Sequence, residues 1–483
     1  MNHVALLLLG LMAWSCSDSD SETSAQQMKL MKDGVEVSEM TFSIGGSSQM
    51  LGVFSDAEWV ASLDDDSWCD ITPHAGFVDN DSTQYIRVTV QKNEGEARKA
   101  VLTVKAGATT RTLLITQKGT ETDAGDNFES VFAMINNLKV GYNLGNTLES
   151  NHNLEGNESW FSPSGPGDWQ TYETCWGQPI TTQAIIDEIV GKGFNIIRVP
   201  VTWFPHVDSD WNINEEWMDR VQQVVDMVIS TGSYCIINVM HDTGERGETR
   251  TDNQCWLTTD ASMYETNTVI YQKLWKQIAE RFRDYDEHLI FESFNEILNA
   301  SYSWTAPSDD SNGDYTTINK LQQDFVNTVR ATGGNNEYRN LAVTTYSATG
   351  NSDAALDFFE VPVDVHSNHI YLTIHSYDPY NFCNDGGEWN ILLFDADAQA
   401  VVDQVVERVS KRAETVGIPF IFGEFGAIAE GKDMNERVKY ATYVAKKLKA
   451  CNTTGLWWMG LYDRRANDWY ESEIVDALNA VLQ

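Results

Sequence analysis

Two regimes of hydrophobic patterning divide the chain. Between residues 28 and 119, apolar and polar positions alternate in short runs, RVTVQ at 87–91, AVLTVKA at 100–106 and TLLITQ at 112–117, separated by Gly, Asp and Asn clusters. Alternation with frequent turn signals predicts half-buried strands in a small all-β, immunoglobulin-like sandwich. The polar stretch TETDAGDN at 120–127 reads as a linker. From 128 to 483, apolar runs alternate with segments of helical period; Trp217, Val221, Val224, Val225 and Val228, for example, share one helix face.

Eight apolar runs follow one another in this second region: KVGYNLGN (139–146), NIIRVPV (195–201), YCIINVMH (234–241), LIFESFNEI (289–297), LAVTTYS (341–347), IYLTIHSY (370–377), PFIFGEFG (419–426) and GLWWMGL (455–461). Helices are predicted between them, most plainly at 215–231, 262–283, 316–332, 398–416 and 436–451, with a last one from Glu473 onward. Strand–helix alternation implies a parallel sheet. No GxGxxG or GxxxxGK[ST] phosphate turn occurs, so the α/β pattern fits a (β/α)8 TIM barrel better than a doubly wound open sheet.

Barrel chemistry sits at the carboxyl ends of strands. Those ends carry Arg198, His241, Asn295 with Glu296, His375 with Tyr377, Glu424, and Trp458. Two carboxylates from different strands of one mouth suit cleavage of a glycosidic bond, where one group protonates the leaving oxygen and the other meets the sugar cation. Glu296 and Glu424 lie three βα units apart and would face each other. Arg198 and the Tyr377 hydroxyl would hold Glu424 ionised as nucleophile, whereas Glu296, facing that charge and a partly apolar wall, would stay protonated as acid and then base. Asn295 can bond the sugar 2-hydroxyl, and His241 and His375 can orient hydroxyls and carboxylates. A retaining reaction requires carboxyls about 5–5.5 Å apart. Glu292, on the same face but deeper, is either a buried network member or the true acid. His241 beside Asp242 could be half of a metal site, but no HExxH supports it, and no GxSxG elbow marks a serine hydrolase. Neither a metal nor an organic cofactor is expected. Trp203, Trp256, Trp304, Trp389, Trp457 and Trp458 fall at or beyond strand ends, where indoles could stack on sugars along a cleft and favour attack within a chain.

Charge narrows the partners. The 483 residues include 33 basic and 71 acidic side chains, a net −38, which disfavours nucleic acid. An apolar run at 4–14, too short to span a membrane, ends just before Cys16. Residues 1–15 therefore read as a signal peptide and 16–27 as a solvated acidic tether. The other cysteines, Cys69, Cys175, Cys235, Cys255, Cys383 and Cys451, show no CxxC spacing and are expected mostly as buried thiols.

Three resemblances add to this reading. The junction at Cys16 resembles the lipobox of bacterial lipoproteins, implying an acylated Cys16, a lipid anchor and display on the outer membrane surface. Residues 28–119, with Trp59, Trp68, the RKAVLTV phrase at 98–104 and the closing ITQKG, resemble BACON domains; both tryptophans are expected in the sandwich core, and the domain as a spacer. The barrel, 128–483, resembles glycoside hydrolase family 5, subfamily 4, through GYNLGNTLE (141–149), ETCWGQP (173–179), GFNIIRVPVTW (193–203), NVMHD (238–242), FESFNEI (291–297), IHSYDPY (374–380), FGEFG (422–426) and LWWMGLYDR (456–464). That resemblance implies Glu296 as acid/base and Glu424 as nucleophile of a retaining double displacement, with Arg198, His241, Asn295, His375, Tyr377 and Trp458 completing the centre. Tyr142, Gln178 and Met459-Gly460 depart from the family's usual residues at positions expected to touch substrate. The implied protein is a monomeric endo-β-1,4-glucanase acting on plant cell-wall polysaccharide: cellulose-like glucan, xyloglucan or mixed-linkage glucan. An endo-xylanase, another hemicellulase or a non-catalytic glycan-binding surface protein are the alternatives.

Overall fold

In the computed structural model the alternating amino-terminal runs form two five-stranded sheets. The structure describes residues 28–32, 35–42, 47–77, 84–91, 93, 95, 97–117, 128–151, 161–245, 255–384, 387 and 390–482. The signal segment, the tether with Cys16, the linker at 120–127 and Trp389 lie outside these. The strands are β1 (Met28–Lys32), β2 (Val35–Glu36), β3 (Glu39–Phe42), β4 (Ser47–Ser55), β5 (Trp59–Leu63), β6 (Cys69–Thr72), β7 (Ala75–Gly76), β8 (Gln84–Val90), β9 (Arg98–Ala106) and β10 (Thr109–Gln117). Their orders are β2-β1-β4-β8-β6 and β3-β10-β9-β5-β7. Period-two burial is direct: Ala100, Leu102, Val104 and Ala106 of β9 are buried while the intervening residues are at least partly open. Trp59 and Trp68 are both core residues, their indole N–H groups donating to Gln84 Oε1 (3.1 Å) and Asp65 Oδ2 (3.0 Å).

The second compact unit is a closed parallel barrel of β11 (Gly141–Asn143), β12 (Ile196–Val199), β13 (Tyr234–Ile237), β14 (Leu289–Glu292), β15 (Leu341–Thr349), β16 (Ile370–Ser376), β17 (Phe420–Phe425) and β18 (Gly455–Trp458). All eight strand runs read from the sequence are present. Closure brings β18 beside β11, with Trp458 opposite Asn143.

Alternation within each strand builds the site in layers. Inward-facing Ile196, Ile236, Ile290, Ile421 and Leu456 pack on Val131, Met134 and Ile135 of the helix Val131–Asn137, which closes the floor. Two positions further along, Arg198 and Glu292 point inward above that floor. The outward set, including Ile197, Val199, Leu289 and Phe291, joins the large core with the surrounding helices. In the helix Glu215–Ile229 the expected face, Trp217, Val221, Val224, Val225 and Val228, is fully buried. Its cap Asn214 accepts from Glu216 N (2.9 Å) and Trp217 N (3.2 Å), worth about 1 kcal/mol.

Two helices begin earlier than hydrophobic periodicity suggests, at Ala396 and Met434, because Asp395 and Asp433 cap them before the apolar stripe starts. Cys69, Cys175, Cys235, Cys255 and Cys383 are buried and Cys451 half-buried, all as thiols. Among the described residues no helix is long and apolar enough to cross a membrane.

Candidate active site

Arg198 occupies the centre of the barrel mouth, fully buried. Its Nε donates to Glu292 Oε2 (2.6 Å), Nη1 to Glu424 Oε1 (2.7 Å) and Asn143 Oδ1 (3.0 Å), and Nη2 to Asn295 Oδ1 (2.8 Å). A planar five-donor fork can serve four acceptors, on three strands and the connection after β14, which an ammonium cannot. Glu292 is thereby a buried network member, bonded to Arg198 and absent from the lining of the cleft. Burial opposes the guanidinium charge, but Glu292 and Glu424 together more than restore it. Because Asn295 spends its carbonyl on Arg198, its amide N–H groups are the part left to face the cleft it lines.

Glu424, on β17 opposite His375 of β16, reaches the same centre. Gly423 makes room for this: a Cβ there would lie 2.3 Å from Thr373 Oγ1 and 3.4 Å from His375 Nε2. Glu424 accepts from Arg198 at Oε1 and from the Tyr377 hydroxyl at Oε2 (2.8 Å). Burial alone would raise its pKa, but His375, Arg198 and these hydrogen bonds reverse the sign and hold it below the usual carboxylate value. Tyr377 stays protonated, since burial and the Glu424 charge push its hydroxyl well above its ordinary pKa.

Glu296 is the opposite case. One-fifth of its side chain is open to the cleft, and Oε1 lies 2.8 Å from His375 Nδ1. Burial, aided by the charge of Glu424, raises its pKa against the lowering effect of His375. Burial disfavours charge on His375 too, but the Glu424 and Glu296 carboxylates outweigh it and raise the pKa of the ring. One oxygen of Glu296, one of Glu424 and a ring nitrogen of His375 all lie within 4.8 Å of one another. Among the described residues this is the group that could ligate a metal, but a cation there would meet the Arg198 guanidinium already bonded to Glu424.

The trio opens into a cleft of about 1460 Å³. His241 and Trp458 line it, and the His241 ring meets Trp176 edge-on at 5.3 Å. Asp242 is committed elsewhere: it accepts from Trp203 N (2.8 Å) and the Trp256 indole (2.7 Å), and burial raises its pKa to about 6. The half-metal-site reading of His241 and Asp242 therefore fails.

Several tryptophans need correction as sugar platforms. Trp203 is fully buried and outward-facing with Val199 and Val201. Trp457 borders the cleft but is 1 % exposed and packs in the outer core, 5.3 Å from the Phe425 ring, so it offers a sugar no open face. Trp256 packs on Trp211 at 4.8 Å and does not line the cleft. Trp304, 49 % exposed, does line it, with its indole 2.8 Å from Glu245 Oε2. Of the three departures from the family text, only Met459-Gly460 lines the cleft; Tyr142 is buried against Phe194 (5.4 Å) and Trp469 (6.4 Å). Ser347, Tyr380 and Tyr470 also line the cleft and were missed, although Ser347 ends the fifth strand run and Tyr380 the IHSYDPY phrase; only Tyr470 lies in a segment with no motif.

Residues 154–460 match the family described as cellulase (glycosyl hydrolase family 5), and residues 56–118 match the BACON domain. A xyloglucan-specific endo-beta-1,4-glucanase of Bacteroides ovatus is 30 % identical over 499 residues, covering 96 % of this chain and 92 % of that protein. Endoglucanase A of Clostridium longisporum is 32 % identical over 391 residues, 77 % of this chain and 70 % of that one. The crystal structure of a family 5 glycoside hydrolase from Prevotella bryantii B14 superposes with a TM-score of 0.66 at 34 % identity, covering 74 % of this chain and 99 % of that chain.

Proposed function

Because the chain belongs to glycosyl hydrolase family 5 and is a retaining hydrolase of internal β-glucan linkages, we propose that Glu424 is its nucleophile and Glu296 its general acid and then base. In the first step a Glu424 oxygen bonds the anomeric carbon while Glu296 gives its proton to the departing glycosidic oxygen. In the second, Glu296 takes a proton from water, which displaces Glu424 from the sugar. Arg198 and Tyr377 balance the charge on Glu424 before attack, and Asn295 presents N–H donors to a sugar hydroxyl. His241 and His375 orient hydroxyl and carboxylate groups, and Trp458 stacks on the sugar.

The observation that carries this reading is the 4.8 Å grouping of Glu296, Glu424 and His375, with the two carboxylates biased toward opposite protonation states. Inverting enzymes separate their carboxyls by about 6.5–9.5 Å to admit a water. Release of reducing ends from β-glucan should be abolished in Glu424→Ala; equal release by wild type and variant would overturn the assignment. A surface protein that only binds glycan needs stacking residues but no opposed carboxylates.

Xyloglucan is the favoured substrate. The cleft exceeds the roughly 300–1000 Å³ of ordinary ligand pockets, and the xyloglucan-specific Bacteroides enzyme aligns with 96 % of this chain. Products from xyloglucan, mixed-linkage glucan, carboxymethylcellulose and xylan, measured side by side, test this; preference for xylan would reject it. The protein acts as a monomer anchored to the outer membrane through acylated Cys16, with the BACON domain as spacer. Labelled palmitate should enter the wild type and not Cys16→Ala.

A further inference from the structure

The connection from β14 to the helix Asp314–Ala331, residues 293–313, contains no regular element. It nevertheless lines the cleft at two places, with Asn295 and Glu296 near its base and Trp304, Thr305 and Ala306 further out. Long irregular connections inside a compact domain are usually functional. Under this one lies a separate small core of Leu298, Tyr315, Tyr346 and Ala355.

Tyr346, on β15, is fully buried. Its hydroxyl accepts from Asn299 N (3.0 Å) and donates to Ser303 O (2.6 Å). The next residue, Ser347, donates its backbone N–H to Ile297 O (3.0 Å). Two consecutive residues thus tie down the segment that directly follows Glu296. The local backbone is strained: Ser347 and Ala348 have φ of 48° and 52°, and the register of β15 against β16 shifts between Thr344 and Thr349. Adjacent non-glycine residues in the left-handed region persist only where their surroundings over-determine them, and such strain gathers at functional sites. Here the bulge places Tyr346 beneath the connection while Ser347 and Thr349 line the cleft.

We propose that Tyr346 is a positioning residue for Glu296, its hydroxyl locking residues 297–303 so that the Glu296 carboxyl meets the departing oxygen squarely. This rests on the reading of Glu296 as the acid. One Glu296 oxygen is fixed by His375, so the direction of the other follows from the backbone at 296–297. Small misplacements of a reacting group cost rate steeply.

Aryl β-cellobiosides whose phenols span a range of acidity provide the test. A 2,4-dinitrophenolate leaves without a proton, whereas an unsubstituted phenol needs one. In Tyr346→Phe, kcat/KM on the dinitrophenyl substrate should match wild type and that on the phenyl substrate should fall roughly tenfold or more. Plotted against phenol pKa, the slope steepens toward that of Glu296→Ala. Tyr315→Phe, which cuts a tie to Pro307 O (2.5 Å) further along the same connection, should keep the wild-type slope. A fall in Tyr346→Phe that is equal for all phenols, or absent, while Glu296→Ala steepens the slope, overturns the positioning role alone. A wild-type slope in Glu296→Ala removes the acid assignment, and the positioning role falls with it.

Discussion

Arg198 Nη1 lies 2.7 Å from Glu424 Oε1, with the two side chains only 0 % and 5 % exposed. A charge pair so shielded is hardly screened by water or salt, and its fixed donors do not reorganise when charge moves during reaction. Glu296 has no guanidinium bonded to it; its partner is His375, and burial still dominates its titration. The division of labour proposed for these two chemically identical side chains therefore traces to His375 and Arg198, which outweigh burial at Glu424, whereas burial prevails at Glu296.

Replacing Arg198 by Lys keeps the charge but loses the fork. One ammonium cannot serve Glu292, Asn143, Glu424 and Asn295 at once. We expect kcat/KM on β-glucan to fall about 100-fold or more, with the acidic limb of the pH profile moved to higher pH as Glu424 loses the fixed guanidinium hydrogen bond. An unchanged acidic limb would show that Arg198 does not set the state of the nucleophile.

Glu292 should matter to folding more than to chemistry. Glu292→Gln strips a buried guanidinium of one of its two carboxylates, and breaking a buried pair costs about 3–5 kcal/mol. Urea unfolding should register that loss, while activity remains above that of Glu424→Ala because Glu292 does not line the cleft. Full stability in the variant would contradict the network.

The pH dependence of kcat/KM should be bell-shaped. With the proposed roles, the active form has Glu424 ionised and Glu296 protonated. Rate rises as pH climbs through the depressed pKa of Glu424 and falls as pH climbs through the raised pKa of Glu296. On an activated aryl glycoside, Glu296→Ala should lose the alkaline limb and keep the acidic one. A profile retaining both limbs would assign the alkaline limb to another group.

Two tryptophans should behave oppositely. Trp203→Ala removes a fully buried ring and should cost about 3–5 kcal/mol of stability. Trp304→Ala removes a half-exposed ring at the cleft; stability should change by less than about 0.5 kcal/mol, while KM for polysaccharide rises roughly three- to tenfold. Calorimetry and kinetics on the two variants would expose any reversal.

The amino-acid sequence by itself determined the two regimes of patterning, the eight strands, the amphipathic helix faces and the polar residues at the strand ends, because period and residue type are local properties written along the chain. Arg198, Glu296, His375, Tyr377 and Glu424 were legible for that reason. Parity could also have warned that Trp457 and Trp458, as neighbours on one strand, cannot both face inward. Only the tertiary structure decided that Glu292 belongs to Arg198, that Trp304 reaches the cleft while Trp203 does not, and that Tyr346 sits beneath the segment following Glu296. Those outcomes depend on irregular connections, which have no period, and on contacts between residues distant in sequence. Packing and hydrogen-bond satisfaction across the whole barrel select them.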